Sequence, residues 1–212
     1  MRSTPSFPRH ITWQAYNPDS DPQHDLLLDE VLRVITRLRA PGQWLRILQV
    51  DLRLRGDIPE VVRHASSNGL SVQILARAGT LPDPATLAVL AAAGACDVAM
   101  LDADASCFVP ACRRPDPRAA PAFDERWGLH VTACGDLTPD PVIPIVLGNV
   151  RTADVVDLYQ NHPVLRALRE PDAIEGKCGA CPHRLWCGGS RARAFALTGS
   201  LFASDPACTF VT

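Results

Sequence analysis

The chain has 212 residues, of which 47% are hydrophobic and 21% charged, enough for one large domain or for a medium domain plus a small one. A formal net charge of −2 excludes a general attraction to nucleic acid or to an anionic membrane. No run of about 18 apolar residues is present to span a bilayer. The opening Met1-Arg2-Ser3-Thr4-Pro5-Ser6 lacks the apolar core of a signal peptide, so the expected location is cytoplasmic.

The first half alternates strand and helix signals. Ile11, Trp13 and Ala15 recur at period two, which predicts a strand over His10 to Tyr16. Leu28, Val31, Leu32, Ile35 and Leu38 fall at helical spacing and stop before Pro41-Gly42. Trp44 to Val50 reads as a strand. Ile58, Val61, Val62 and Ala65 line a helix face that ends at Asn68-Gly69. Leu70 to Ala76 reads as a strand buried on both faces. Pro84 to Ala93 reads as a helix capped by Asp83, with Gly94 beyond its end, and Asp97 to Leu101 as the next strand. Such alternation implies an α/β fold with a parallel sheet, whose ligands gather at the carboxyl ends of the strands. Asp102 and Asp104 stand at one such end, a position that polar loop formers also occupy.

The texture changes where Pro110, Pro115, Pro117 and Pro121 sit among Arg113, Arg114 and Arg118. We divide the chain there, into residues 1–109, a Pro-rich linker over 110–125, and residues 126–212. The last part holds a strand signal over Leu129 to Ala133, a Gly135-Asp136 turn, a Pro-rich return and a short helix over Thr152 to Tyr159.

Four of the eight cysteines lie at Cys178, Cys181, Cys187 and Cys208, spaced C-x2-C-x5-C-x20-C. Two intervening residues make a tight knuckle that aims two sulfurs at one centre. In a reducing compartment such cysteines read as metal ligands rather than disulfides. Four thiolates suit a 4Fe-4S cluster, and they also suit structural zinc, so spacing alone leaves both open. Pro182 between Cys181 and His183 breaks a haem-attachment motif. His183 is expected to be a solvated neighbour and Trp186 a packing shield. Gly188 and Gly189 would let backbone N–H groups approach the sulfurs, and Lys177, Arg184, Arg191 and Arg193 would offset an anionic cluster.

From Gly176-Lys177-Cys178 through Cys187-Gly188-Gly189-Ser190-Arg191 to Asp205-Pro206-Ala207-Cys208, the tail resembles the SPASM domain of radical SAM enzymes, especially those that finish haem-type cofactors. Val131-Thr132-Ala133-Cys134-Gly135-Asp136 and Gly148-Asn149-Val150-Arg151 resemble the segment before that tail. The resemblance implies one auxiliary 4Fe-4S cluster on Cys178, Cys181, Cys187 and Cys208. Many such domains carry a further cysteine where this chain has Asp140, so a second cluster is not expected, and Asp140 is expected to cap a turn.

The first half is similar to the radical SAM core, which implies a partial, truncated parallel β/α barrel ahead of a small cysteine-rich SPASM-like domain. Its Gly56-Asp57-Ile58-Pro59 and Ala78-Gly79-Thr80 match two of that core's units. The loop expected to carry the family's C-x3-C-x2-C is Asn17-Pro18-Asp19-Ser20-Asp21-Pro22-Gln23-His24, without a cysteine. The family's Gly-Gly-Glu-Pro falls on Gln49-Val50-Asp51-Leu52. SAM cleavage needs a cluster with an open iron site, so SAM chemistry is not expected of this chain. The resemblance then implies an accessory iron–sulfur protein with a partner radical SAM or maturation protein. Its alternatives are a residual enzyme on a tetrapyrrole or peptide, and a zinc-stabilised scaffold. Cys96 is expected as a small core residue, and Cys96, Cys107, Cys112 and Cys134 as either a second metal site or unrelated thiols.

Overall fold

The computed structural model describes residues 5–17, 21–50, 54–77, 83–101, 125–185 and 187–210. The boundary placed over 110–125 lies outside the described residues apart from its last position, as do Asp102, Asp104, Cys107, Cys112 and Trp186.

The strand-helix alternation is present as read. β1 (His10–Gln14) leads to α1 (Leu28–Leu38) and β2 (Trp44–Val50). α2 (Ile58–Ser67) and β3 (Ser71–Arg77) follow, then α3 (Pro84–Ala93) and β4 (Ala95–Leu101). With β5 (Gly128–Val131), β6 (Asp136–Thr138) and β7 (Gly148–Asn149), the described residues form one seven-stranded sheet in the order β4-β3-β2-β1-β5-β6-β7. The five strands from β4 to β5 are mutually parallel, and β6 and β7 add on antiparallel. The architecture is therefore α/β with a mixed, mostly parallel sheet, and strands from before and after the Pro-rich segment lie side by side in it.

One face of the sheet is apolar. Ile11 and Trp13, Leu45 and Ile47, Val72 and Ile74, Leu129 and Val131 are at most 3% exposed. The helix residues that periodicity selected belong to the same core: Val31, Ile35 and Leu38 of α1, and Ile58, Val61, Val62 and Ala65 of α2. Burial of large aliphatic side chains stabilises at about 25 cal/mol per Å² of apolar surface. Local chemistry sets the helix starts. The Leu27 N–H donates to the Glu30 carboxylate (2.9 Å), and Asp83 accepts from the Thr86 N–H (2.9 Å).

The opposite face is polar yet largely covered. His10, Thr12, His130 and Thr138 are 8%, 6%, 3% and 5% exposed. β3 is buried on both faces as expected, with Val72 and Ile74 on the apolar side and Leu75, 3% exposed, on the other. Its Gln73 sits on the polar side beside Arg46 and donates to Asp97 on β4 (2.7 Å).

After β7 the predicted helix over Thr152 to Tyr159 begins later, as α4 (Val155–Asn161). Thr152 and Ala153 instead close a turn, their N–H groups donating to the Asn149 carbonyl (3.1 and 2.8 Å). A further helix, α5 (Pro163–Arg169), starts at once, because Pro163 cannot extend α4 and pre-sets a new first turn. The tail adds α6 (Gly176–Gly179) and α7 (Arg191–Thr198). Among the described residues no helix is long and apolar enough to cross a membrane.

Candidate metal centre

Cys178, Cys181 and Cys187 follow one another on tight turns, and Cys208 sits on a separate turn beyond α7. Cys178 is on α6 and 7% exposed. The Cys181 N–H donates to the Cys178 carbonyl (3.3 Å), Arg184 N–H to Cys181 (3.0 Å) and Cys187 N–H to His183 (2.8 Å). Gly179 is required where the knuckle turns, since a Cβ there would collide with the Ile174 carbonyl oxygen.

The remote cysteine is brought back to this knuckle. The Ser204 hydroxyl accepts from the Cys178 N–H (3.1 Å) and donates to the Glu175 carbonyl (2.9 Å). Lys177 Nζ donates to the Cys208 carbonyl (2.9 Å), which sets the C-terminal segment against α6. Two backbone donors meet sulfur: Asp205 N–H to Cys178 Sγ (3.3 Å) and His183 N–H to Cys181 Sγ (3.4 Å). Such bonds favour the thiolate and tune what it ligates.

Gly189 supplies the close approach expected of it. It holds φ +67°, and a Cβ would stand 3.4 Å from Cys178 Sγ and 2.9 Å from Asp205 Cβ. Gly189 thus places the chain just after Cys187 against the Cys178 sulfur.

The charges are arranged differently from the expectation. Arg191 is 1% exposed and donates to the Leu201 and Ala203 carbonyls (2.9 and 2.8 Å). Arg193 forks onto Asp205, Nε to Oδ1 (2.8 Å) and Nη2 to Oδ2 (2.6 Å). Arg184 lies 3.5 Å from Asp172. Arg191 and Arg193 serve the tail's own structure, binding buried carbonyls and a buried carboxylate, while Arg184 pairs with an exposed carboxylate. Lys177 remains beside the knuckle. Burial alone would raise the Asp205 carboxyl, but the Arg193 fork and the Ser190 and Ala207 N–H groups hold it below the usual carboxylate range.

Asp205 and Ser204 organise this candidate site and were not singled out in the sequence. The Asp-Pro step before Cys208 was the available signal, since Asp before a turn accepts from its own backbone two residues on. His183 is half-buried rather than solvated, and its ring meets Phe210 edge-on at 4.8 Å. Asp140 does cap a turn, accepting from the Val142 N–H (3.0 Å).

The remaining described thiols stay apart. Cys96 is exposed, which corrects its assignment to the core. It is the extra residue of a bulge between Val72↔Ala95 and Gln73↔Asp97, on the last strand at that side of the sheet among the described residues. Cys134 faces Asp25 (3.9 Å) just beyond β5. Four strand spacings separate β4 from β5, about 19 Å at about 4.8 Å each, so these two thiols cannot share one ion.

A tetrahedral zinc, with Zn–S about 2.3 Å, needs its sulfurs about 3.8 Å apart. Among the described residues no three His, Cys, Asp or Glu side chains are grouped for a single metal ion. A 4Fe-4S cluster takes each thiolate on a different iron and spreads its ligands more widely. The two N–H···S bonds and the Cβ-free approach at Gly189 are features such a group would use, and the donor set of four thiols is chemically suited to it. A groove of about 430 Å³ beside α1 holds arginines that are already matched: Arg37 with Asp154 and Arg151 with Glu30.

No family model matches the chain. Over 80 residues, 38% of this chain and 23% of the relative, it is 36% identical to an AdoMet-dependent heme synthase of Methanosarcina barkeri. It is 35% identical over 123 residues to a pre-heme d1 synthase of Dinoroseobacter shibae, covering 50% of this chain and 30% of that one. Over 105 residues it is 30% identical to a PqqA peptide cyclase of Methylocella silvestris, 47% and 28% of the two chains. The chain is distantly and partially homologous to radical SAM/SPASM enzymes.

It spans less than a third of the length of each of these curated relatives. The solved structure of Streptococcus suis SuiB bound to S-adenosylmethionine superposes on 97% of this chain and 76% of its own at TM-score 0.46 and 11% identity, a likeness too loose to bear on the fold. Asn17 to His24 holds no cysteine, and its described end is a short turn over Pro22–His24 capped by Asp21.

Proposed function

We propose that this chain binds one 4Fe-4S cluster through Cys178, Cys181, Cys187 and Cys208, and acts as an accessory iron–sulfur protein in maturation of a haem-type cofactor or a peptide. The observation that carries this is the Asp205 N–H on Cys178 Sγ, together with the Lys177 bond that returns Cys208 to the same knuckle. When bound, the cluster would supply one-electron transfer. The chain's own part is to hold four thiolates in tight turns and to donate backbone N–H groups to two of them.

The relatives' names supply the maturation context: a heme synthase, a pre-heme d1 synthase and a peptide cyclase. The cysteine-free loop from Asn17 to His24 supports the absence of SAM cleavage. The partner is then a radical SAM or maturation protein that performs the chemistry this chain does not.

Anaerobic reconstitution followed by incubation with SAM and dithionite tests the reading. The expected result is a brown protein that yields no 5′-deoxyadenosine. Formation of 5′-deoxyadenosine overturns the accessory role, and one zinc with no iron overturns the cluster.

A further inference from the structure

We propose that Asp205 is a positioning residue, a latch that closes the thiolate cradle before any metal arrives. The cluster readouts below rest on the function proposed above; the metal-free ones do not.

Asp205 is fully buried and touches all three cysteine-bearing segments. Its Oδ2 accepts from the Ser190 N–H (3.0 Å), three residues beyond Cys187. Its Oδ1 accepts from the Ala207 N–H (3.1 Å), the residue before Cys208. Its own N–H donates to Cys178 Sγ (3.3 Å). The Arg193 fork neutralises it from α7, whose first turn is in turn capped by Ser190 Oγ accepting from the Arg193 N–H (3.1 Å). A buried carboxylate is costly unless every lone pair is engaged, and this one accepts four hydrogen bonds. None of the four involves a cysteine side chain or requires an ion. The four bonds join the Cys187 segment to the Cys208 segment, and the neighbouring Ser204 hydroxyl, bonded to the Cys178 N–H and the Glu175 carbonyl, ties both to Cys178 without a metal.

Small metal sites commonly lack a preformed cradle and fold only on loading. Here the opposite order follows. The metal-free tail stays closed, and loading adds iron to thiols already placed. Asp205→Asn keeps the shape but replaces one acceptor oxygen with a donor, so it cannot serve Ser190, Ala207 and both Arg193 donors together. Asp205→Glu keeps the charge but moves it by one methylene.

The test begins with amide hydrogen exchange on the reduced, metal-free wild-type chain. The Ser190, Asp205 and Ala207 amides are expected to be protected at least 100-fold over an unstructured chain. Asp205→Asn is expected to lose that protection while β1 and β2 amides keep theirs. After anaerobic iron and sulfide loading, Asp205→Asn is expected to release iron to a chelator at least ten-fold faster. Its midpoint potential is expected to differ from wild type, which global destabilisation would not produce, and Asp205→Glu should recover part of both. Wild-type amides that become protected only after loading overturn the latch. So does an Asp205→Asn variant that holds and releases iron as wild type does. A wild-type chain that is protected when metal-free yet never takes iron leaves the latch standing and removes the cluster.

Discussion

His130 offers a prediction whose size follows from its surroundings. It lies on β5, 3% exposed, with Nδ1 3.1 Å from the Thr12 carbonyl. A carbonyl only accepts, so Nδ1 carries the proton and the ring is the neutral Nδ1–H tautomer. Burial pushes its pKa down from the ordinary 6.5 to about 4, against a small opposing pull from the Thr12 hydrogen bond. The folded chain therefore binds fewer protons than the unfolded chain between those values, and stability falls as pH drops from about 6.5 towards 4. At about 1.4 kcal/mol per pH unit the full loss is about 3 kcal/mol, of which about 2 kcal/mol is spent by pH 5. Urea unfolding of the metal-free chain at pH 7.5 and pH 5 measures it, with His130→Gln as the reference that cancels every other titration. Wild type is expected to lose about 2 kcal/mol more than His130→Gln over this interval. Equal losses in the two proteins would refute the reasoning, because His130 would then titrate alike in both states.

Three further outcomes are expected. Gly189→Ala forces a Cβ to within 2.9 Å of Asp205 Cβ at φ +67°, and should cost about 1–3 kcal/mol in denaturant unfolding while lowering iron content after loading. Arg151→Ala removes donors from Glu30, whose carboxyl it helps hold down to about 2, and from the His24, Asp25 and Cys134 carbonyls; calorimetry should find about 2 kcal/mol lost. Cys96→Ser and Cys134→Ser should leave the reconstituted absorbance unchanged, whereas serine at Cys178, Cys181, Cys187 or Cys208 should abolish it or reduce it severely.

The parallel half of the fold was legible because its physics is local. Ile11 and Trp13 alternate, Val31, Ile35 and Leu38 recur at helical spacing, and both patterns survive into one buried layer. What depends on strand order was not legible. Cys96 looks like a core residue until β4 proves to be the last strand on its side among the described residues, with a bulge at that residue. The partner of Gln73 is known only once Asp97 stands beside it on the neighbouring strand. In the tail, cysteine spacing marked the candidate ligands, but nothing periodic marks a buried loop carboxylate. Apart from Ala207, the partners of Asp205 lie 12 to 27 residues away, and only the folded chain brings them together.

Iron, sulfide and EPR spectroscopy on the anaerobically loaded chain test the central claim most directly. About four iron and four sulfide per chain are expected, with an S = 1/2 signal on dithionite reduction that disappears in Cys208→Ser. A colourless, EPR-silent chain, or iron that binds equally well without Cys208, would contradict it.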